Sequence, residues 1–294
     1  MGVYTPWDWT MAQEYDPLVV HPYATSKENI HQRPLMKSGH VLKHPHSWLF
    51  CGVSGAGKTQ LVLHLLKDPN LYGPGGERFD GTPDAKCYFD EAFLFSETAA
   101  MGGDDLYDKH LSHLVPKNRR HEPNAKGLAQ LRHVLSVQRK KIEGAGGDLG
   151  KVPRLLFLFD DVAHSREFLD SHEYLLLHIA NRHFNASCWT LTQSYMKVPR
   201  SARVQVKGVC FFNGAKLGEK ERLAAEHTPA NATEKQMLEL IDHATPRKYD
   251  FLFINRDSVD ERHIYRKGLK QWYVVGGSDP EPDEKKRAPE RPGM

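Results

Sequence analysis

Short apolar runs alternate with segments of helical periodicity along most of the chain, and this alternation predicts an α/β fold. Runs typical of buried strands occupy residues 48–51, 92–96, 154–159, 187–192, 208–212, 251–254 and 263–265. Helical spacing of apolar residues follows over 60–66, 125–143 and about 166–183, and two polar helices are expected between 212 and 251. Alternating strands and helices form mostly parallel sheets, so we expect a central sheet with helices on both faces.

Composition separates a central domain from two flanking segments. Hydrophobic residues make up 39% of the 294 residues, which is low for a compact globule and indicates tails or long loops. Residues 1–45 mix Pro, His and aromatic residues without periodicity, and we expect an arm that packs either on the core or on a neighbouring subunit. Residues 276–294 are polar and charged and are expected to be disordered. The predicted domain is therefore 46–275.

Apolar-segment length and charge exclude several classes of protein. The longest unbroken apolar stretch is far too short to span a bilayer, and no signal-peptide segment follows Met1. We therefore expect a soluble, intracellular protein with no membrane span. The net charge of +3 permits a nucleic-acid partner through local basic patches without requiring one. The four cysteines and 17 histidines lack zinc-ligand spacing, so a structural metal site is not expected.

The strongest chemical signal is an eight-residue segment that matches the phosphate-binding loop pattern G-x-x-x-x-G-K-[ST]. A predicted strand precedes it and a predicted helix follows it, which is the context in which the pattern binds nucleotides. Glycines let the backbone aim N–H groups at phosphate oxygens, and the helix N-terminus adds partial positive charge. The predicted nucleotide-binding residues are Gly52, Val53, Ser54, Gly55, Ala56, Gly57, Lys58 and Thr59. Lys58 would reach the β- and γ-phosphates of ATP, and Thr59 would hold Mg²⁺.

Two acidic residues, Asp160 and Asp161, end the most continuous apolar run. Ligands bind beyond the carboxyl ends of parallel strands, so both carboxylates are expected beside the phosphate loop. Asp160 is predicted to act on Mg²⁺ and Asp161 to orient or deprotonate the attacking water. The alternative is a pair of solvated aspartates at a turn, with Asp161 capping the next helix. Gln193, after the next strand, is predicted to contact the γ-phosphate or the lytic water.

Positively charged residues complete the predicted site. An ATPase of this type needs positive charge at its transition state, often from an arginine of another subunit. Arg182, just before the 187–192 strand, is the first candidate, and Arg203 is the second. Two basic clusters, at 117–120 and 139–141, are candidates for contact with DNA phosphates, and the alternative for each is a solvated surface.

The order of these motifs resembles that of the poxvirus-type genome-packaging ATPases, which serve large double-stranded DNA viruses and belong to the FtsK–HerA group of P-loop motors. The loop, the segment 93–98, the Asp160–Asp161 pair and the stretch from Asn181-Arg182-His183 to Thr192-Gln193-Ser194 carry the resemblance, which covers about 46–255. It implies a homo-oligomeric ring that uses ATP and Mg²⁺ to drive double-stranded DNA into a capsid. It also implies capsid or virion proteins as partners and a location in the virion or at the viral assembly site. Many members of the group carry Glu where this chain has Asp161.

Two other functions remain open from the sequence. A small-molecule or nucleoside kinase would use the same loop, but it needs a lid with several arginines, for which 104–126 is the available segment. The apolar strand that ends in paired acids favours hydrolysis instead. A DNA-binding or scaffolding P-loop protein with little turnover is disfavoured because Lys58, Thr59, Asp160 and Asp161 are all present.

Overall fold

The computed structural model describes residues 41–74, 88–100, 105–258 and 261–275. The predicted N-terminal arm therefore lies outside the described residues except for 41–45, and the predicted tail 276–294 lies entirely outside them.

Strands and helices alternate within the described residues, as the sequence pattern predicts. The strands are β1 Ser47–Cys51, β2 Glu91–Phe95, β3 Arg120–His121, β4 Leu155–Asp160, β5 Ala186–Thr192, β6 Gly208–Phe212, β7 Phe251–Asn255, β8 Tyr265–Lys267 and β9 Gln271–Tyr273. The α-helices are α1 Lys58–Lys67, α2 Glu97–Ala100, α3 Asp105–Leu111, α4 Ala125–Gly144, α5 Arg166–Leu169, α6 His172–Ala180, α7 Arg200–Arg203, α8 Leu217–His227 and α9 Glu234–Ala244.

All nine strands form one sheet in the order β3-β2-β4-β5-β1-β6-β7-β8-β9. The six strands from β3 to β6 are parallel, and β7, β8 and β9 add to the β6 edge in antiparallel pairs. The predicted mostly parallel α/β fold is confirmed. Because the six parallel strands point the same way, their carboxyl ends share one edge of the sheet, called the phosphate edge below.

Two hydrophobic clusters cover the two faces of the sheet, which explains why its strands are apolar throughout. Leu49 and Cys51 of β1 face one cluster, together with buried side chains of α4, α6, α8 and α9. Trp48 and Phe50 face the other cluster, together with side chains of α1 and α3. Alternate residues of a strand point to opposite faces, so a strand covered on both sides needs apolar residues at every position.

The prediction of one continuous helix over about 166–183 is wrong, because the structure divides this segment into two helices and a 3₁₀ turn. α5 ends at Leu169, α6 begins at His172, and a 3₁₀ turn over Asn181–Phe184 leads into β5. The break occurs at Ser171, whose side chain accepts a hydrogen bond from the Tyr174 N–H and caps α6.

The C-terminal part of the sheet also differs from the sequence prediction. The strand expected at 263–265 begins instead at Tyr265, because Glu261–His263 form a 3₁₀ turn. The short strands β3 and β9, of two and three residues, were not expected, and runs of that length leave little periodic signal.

Buried histidines occupy the edge of the sheet opposite the phosphate edge. His44 makes hydrogen-bond contacts with Ser187 Oγ at 2.8 Å and Asn185 Oδ1 at 3.0 Å, and the Trp189 indole N–H donates to His46 Nε2 at 2.8 Å. Burial lowers the pKa of both histidines to about 3, so they are neutral at physiological pH. This network ties the segment before β1 to the start of β5.

His178 in α6 gives a stability prediction. Burial lowers its pKa to about 3, and its ring packs on Tyr174 at 4.7 Å between ring centroids. The unfolded chain binds a proton near pH 6.5 and the folded chain does not, so the stability contribution is complete above about pH 6.5 and is lost as the pH falls toward 3. We expect His178→Leu to reduce the pH dependence of the unfolding free energy by up to about 1.4 kcal/mol per pH unit.

Urea unfolding of both proteins at pH 7.5 and pH 5 measures this difference. The other buried histidines are present in both proteins, so their contribution cancels. An equal loss of stability in the two proteins between these pH values would contradict the assignment.

Candidate functional site

The loop between β1 and α1 has a backbone that requires glycine. Gly55 and Gly57 adopt φ values of 72° and 100°, in the left-handed region that strains other residues. At Gly52 a β-carbon would lie 2.6 Å from Phe212 Cβ, so only glycine fits against β6. The Gly52 N–H donates to the Thr192 carbonyl at 3.1 Å, which fixes the start of the loop to β5. The first N–H groups of α1 have no partner inside the helix and point into the loop, where an anion would be stabilised.

Lys58 stands in the first turn of α1 and its side chain folds over this loop. Its ammonium group donates to the carbonyl oxygens of Gly52 at 2.7 Å and Val53 at 3.1 Å. Burial lowers the pKa of Lys58, and the carboxylates of Asp160 and Asp161 oppose that shift. The two acids are therefore close enough for their charge to act on the ammonium group.

Asp160 is the last residue of β4 and Asp161 follows it; β5 separates β4 from β1. In the ladder Asp160 pairs with Leu191, and Thr192 pairs with Cys51, so the three strands end together at the phosphate edge. The phenol of Tyr107 in α3 donates to Asp160 Oδ2 at 2.8 Å. Tyr107 is fully buried, so it holds one carboxylate oxygen in a fixed direction.

Asp161 and Gln193 contact each other at the same edge. The Gln193 side-chain amide donates to both carboxylate oxygens of Asp161, at 3.0 and 3.2 Å. Asp161 has a left-handed backbone with φ of 54°, and its side chain does not cap the 3₁₀ turn that follows. A non-glycine residue in this conformation is uncommon and turns the carboxylate away from the path of β4.

The oxygen atoms of Thr59 and Asp160 suit Mg²⁺, which binds one or two protein oxygens and completes its shell with phosphate and water. Thr59 follows Lys58 directly in α1, and Asp160 acts electrostatically on Lys58, so both oxygens lie around the same loop. Within the described ranges, no group of three or more His, Cys, Asp or Glu side chains could hold a metal by itself.

The two candidate arginines lie elsewhere. Arg182 is exposed in the turn before β5, at the edge opposite the phosphate edge, about 20 Å away along that strand, so it cannot act on the loop of its own subunit. Arg203 is only 7% exposed; its guanidinium pairs with Glu226 at 2.6 Å and donates to the Val198 carbonyl at 2.6 Å. Arg203 is thus held inside its own subunit.

Three residues of the site gave no signal in the sequence. Tyr107 holds Asp160 as described above. Glu219 in α8 accepts hydrogen bonds from Ser194 Oγ at 2.5 Å and the Met196 N–H at 3.1 Å, and so anchors the segment after Gln193. Tyr249 lies against Gly57 of the loop, where a β-carbon on Gly57 would approach its Cδ1 to 3.0 Å.

Other candidate groups have structural surroundings. Cys51, Cys188 and Cys210 are buried free thiols whose pKa values are raised by burial, and Cys87 lies outside the described residues. None of the helices in the described part of the chain combines the length and apolar character needed to cross a membrane.

The fold and the loop together define an α/β domain with the strand–loop–helix unit of P-loop NTPases. No protein-family model and no curated protein sequence matches the chain.

Several solved structures have a similar fold. The DNA-packaging ATPase B204 from Sulfolobus turreted icosahedral virus aligns with 76% of this chain and 96% of its own length, at 13% identity and a TM-score of 0.49. The genome-packaging NTPase B204 from Sulfolobus turreted icosahedral virus 2, in complex with ATP-γS, aligns with 79% and 98%, at 13% identity and a TM-score of 0.46. EssC (ATPases 2 and 3) from Geobacillus thermodenitrificans aligns with 81% and 41%, at 11% identity and a TM-score of 0.47. Similarities of this size describe a likeness of fold and say nothing about activity.

The difference between the buried Arg203 and the exposed Arg182 can be tested by measuring the free energy of unfolding of variants at each position. Arg203→Ala would leave the largely buried carboxylate of Glu226, 13% exposed, without its arginine, and we expect the unfolding free energy to fall by about 2 kcal/mol. Arg182→Ala removes an exposed side chain and should change it by less than about 0.5 kcal/mol. Chemical denaturation of both variants checks this pair of values, and equal stabilities would contradict the structural role of Arg203.

Proposed function

We propose that this protein binds ATP with Mg²⁺ at the phosphate edge and hydrolyses it. The observation that carries the proposal is the meeting of Lys58, the Asp160–Asp161 pair and Gln193 around one glycine-rich loop. The residues Gly52 to Thr59 wrap the phosphates, and Lys58 neutralises charge on the β- and γ-phosphates. Thr59 and Asp160 hold the metal, which would supply charge stabilisation to the transferring phosphoryl group.

In this proposal Asp161 and Gln193 position and activate the attacking water. The Asp161 carboxylate accepts the proton or orients the water, and the Gln193 amide, which donates to that carboxylate, fixes its direction. Burial of Lys58 beside two acids sets a polar, partly desolvated site in which such contacts are stronger than in bulk water.

We further propose that hydrolysis drives double-stranded DNA into a viral capsid, as the resemblance to the packaging ATPases implies. Arg182 lies too far from its own phosphate loop to act there, which fits a homo-oligomeric ring in which it reaches the site of a neighbour. Capsid or virion proteins would be the further partners, and the virion or the viral assembly site the location. Membership of the poxvirus-type branch belongs to this same proposal.

A basic surface supports DNA as the partner. Arg119 and Lys141 both pair with Glu91, at 3.0 and 3.7 Å, so the two basic clusters lie side by side around the first residue of β2. Lys117 and Lys140 are exposed next to them. A surface of this kind binds the DNA backbone without sequence preference.

The arrangement speaks against a kinase. A kinase lid needs free arginines, but Arg120 in the candidate lid segment is buried and pairs with Asp108 at 2.5 Å. Arg119 pairs with Glu91 and packs over Phe93. Both arginines therefore make contacts within the fold beside β3, the outermost strand of the sheet.

The hydrolysis proposal predicts a separation between binding and turnover. Asp161→Asn should keep ATP affinity within about threefold and lower the hydrolysis rate by about 10²–10⁴-fold, because it removes the proposed base. Lys58→Ala is the control that should lose ATP binding itself. Calorimetry and a phosphate-release assay measure the two quantities, and wild-type turnover in Asp161→Asn would clear Asp161 of this role.

The motor proposal predicts an ATPase rate that rises when double-stranded DNA is added. Lys140→Ala/Lys141→Ala should weaken DNA binding and flatten its salt dependence, because two phosphate contacts are lost. Lys235→Ala in α9 is the control for removal of an exposed charge elsewhere. Electron microscopy with ATP and duplex DNA tests the ring. An ATPase indifferent to DNA, with phosphorylation of a nucleoside or metabolite, would support a kinase instead.

A further inference from the structure

Tyr249 is an exposed aromatic residue in an unusual backbone conformation beside the phosphate loop. Its φ is 74°, which a bulky residue rarely adopts, and it is 58% exposed. The Cδ1 side of the ring lies beside Gly57 of the loop, where a β-carbon on that glycine would come within 3.0 Å of it. The ammonium group of Lys248 lies 5.0 Å from the ring centroid. Tyr249 therefore combines a strained backbone conformation with an exposed aromatic side chain, a combination found at binding sites.

The turn that carries Tyr249 is anchored to the sheet. The Asp250 N–H donates to the Arg247 carbonyl at 3.1 Å, and the Asn213 N–H donates to the Asp250 carbonyl at 3.0 Å. The Asp250 carboxylate also pairs with Lys267 at 3.3 Å. These contacts fix the turn between β6, β7 and β8, so the ring is presented in a defined position rather than on a loose loop.

The position of Tyr249 along the sheet shows which part of a nucleotide it would meet. The acids lie at the end of β4, two strands from β1 on one side, and Tyr249 precedes β7, two strands from β1 on the other side. Each offset is about 10 Å at the usual strand spacing. The γ-phosphate must lie toward the acids that act on it, so the phosphate chain extends away from them and the base emerges on the side of Tyr249.

We propose that Tyr249 is a binding residue for the base of the nucleotide, which stacks on the exposed part of its ring. This inference rests on the proposed nucleotide site and adds the residue that recognises the base. Aromatic rings bind bases of any identity because every base has a π face. Lys248, next to the ring, adds positive charge on the path of the phosphates that lead to the base.

Paired ligands with and without a base test this inference on the full chain in the presence of Mg²⁺. ADP and pyrophosphate share the phosphate contacts, but only ADP has a base, and neither is consumed by hydrolysis of a γ-phosphate. We expect Tyr249→Ala to weaken ADP binding by about 5- to 20-fold and to leave pyrophosphate binding unchanged. Tyr249→Phe keeps the ring and should stay within about twofold of wild type, whereas Tyr249→Leu, apolar but not aromatic, should lose affinity for ADP.

The outcomes separate the two proposals. Equal weakening of ADP and pyrophosphate, or unchanged ADP affinity in Tyr249→Ala, would overturn the role of Tyr249 and leave the phosphate site intact. A wild-type protein that binds neither ligand would overturn the proposed function itself.

Discussion

The hydrogen-bond register of three parallel strands decides whether the phosphate loop and the acidic residues can meet. Cys51, Thr192 and Asp160 stand at the ends of β1, β5 and β4, and the ladder aligns these ends within one residue. A shift of one residue would turn every side chain of a strand to the opposite face. β5 also sets the distance, since it keeps β4 about 10 Å from β1, room for a phosphate, a metal ion and a water molecule.

Within this frame the charges of the site balance each other. The Lys58 ammonium group is partly buried, which alone would favour its neutral form, and the carboxylates that face it restore part of the preference for the charged form. The carbonyls of Gly52 and Val53 accept hydrogen bonds from it, so the ammonium group finds its partners within the loop. The hydrogen bonds from Tyr107 to Asp160 and from Gln193 to Asp161 direct the two carboxylates independently. The adjacent acids therefore differ in surroundings, as their different proposed roles require.

Much of the fold could be predicted because its signals are local. A strand covered on both faces reads as a continuous apolar run, so β4 and β5 were found within one or two residues. The phosphate loop follows from its pattern and from its position between a strand and a helix. The break at Ser171 was missed because a single side-chain cap interrupts a segment whose apolar spacing is helical.

The missed parts of the site depend on contacts between distant residues. The hydrogen bond from Tyr107 joins residues 53 positions apart, and no local pattern marks it. Tyr249 was missed because β7 runs antiparallel, so the phosphate edge holds the residues before that strand and not those after it. The rule that ligands follow strand ends applies only to the parallel part of the sheet. The same limit applies to Glu219, which contacts a loop more than twenty positions earlier in the chain.

The hydrogen bonds of Glu219 connect the site with the outer surface of the domain. Its two carboxylate oxygens accept hydrogen bonds from Ser194 and Met196, which joins the segment after β5 to the first turn of α8. Leu217, 65% exposed, projects from that same turn. A path through Ser194 and Glu219 therefore connects Gln193 at the phosphate edge with an exposed apolar side chain on the outside of the domain.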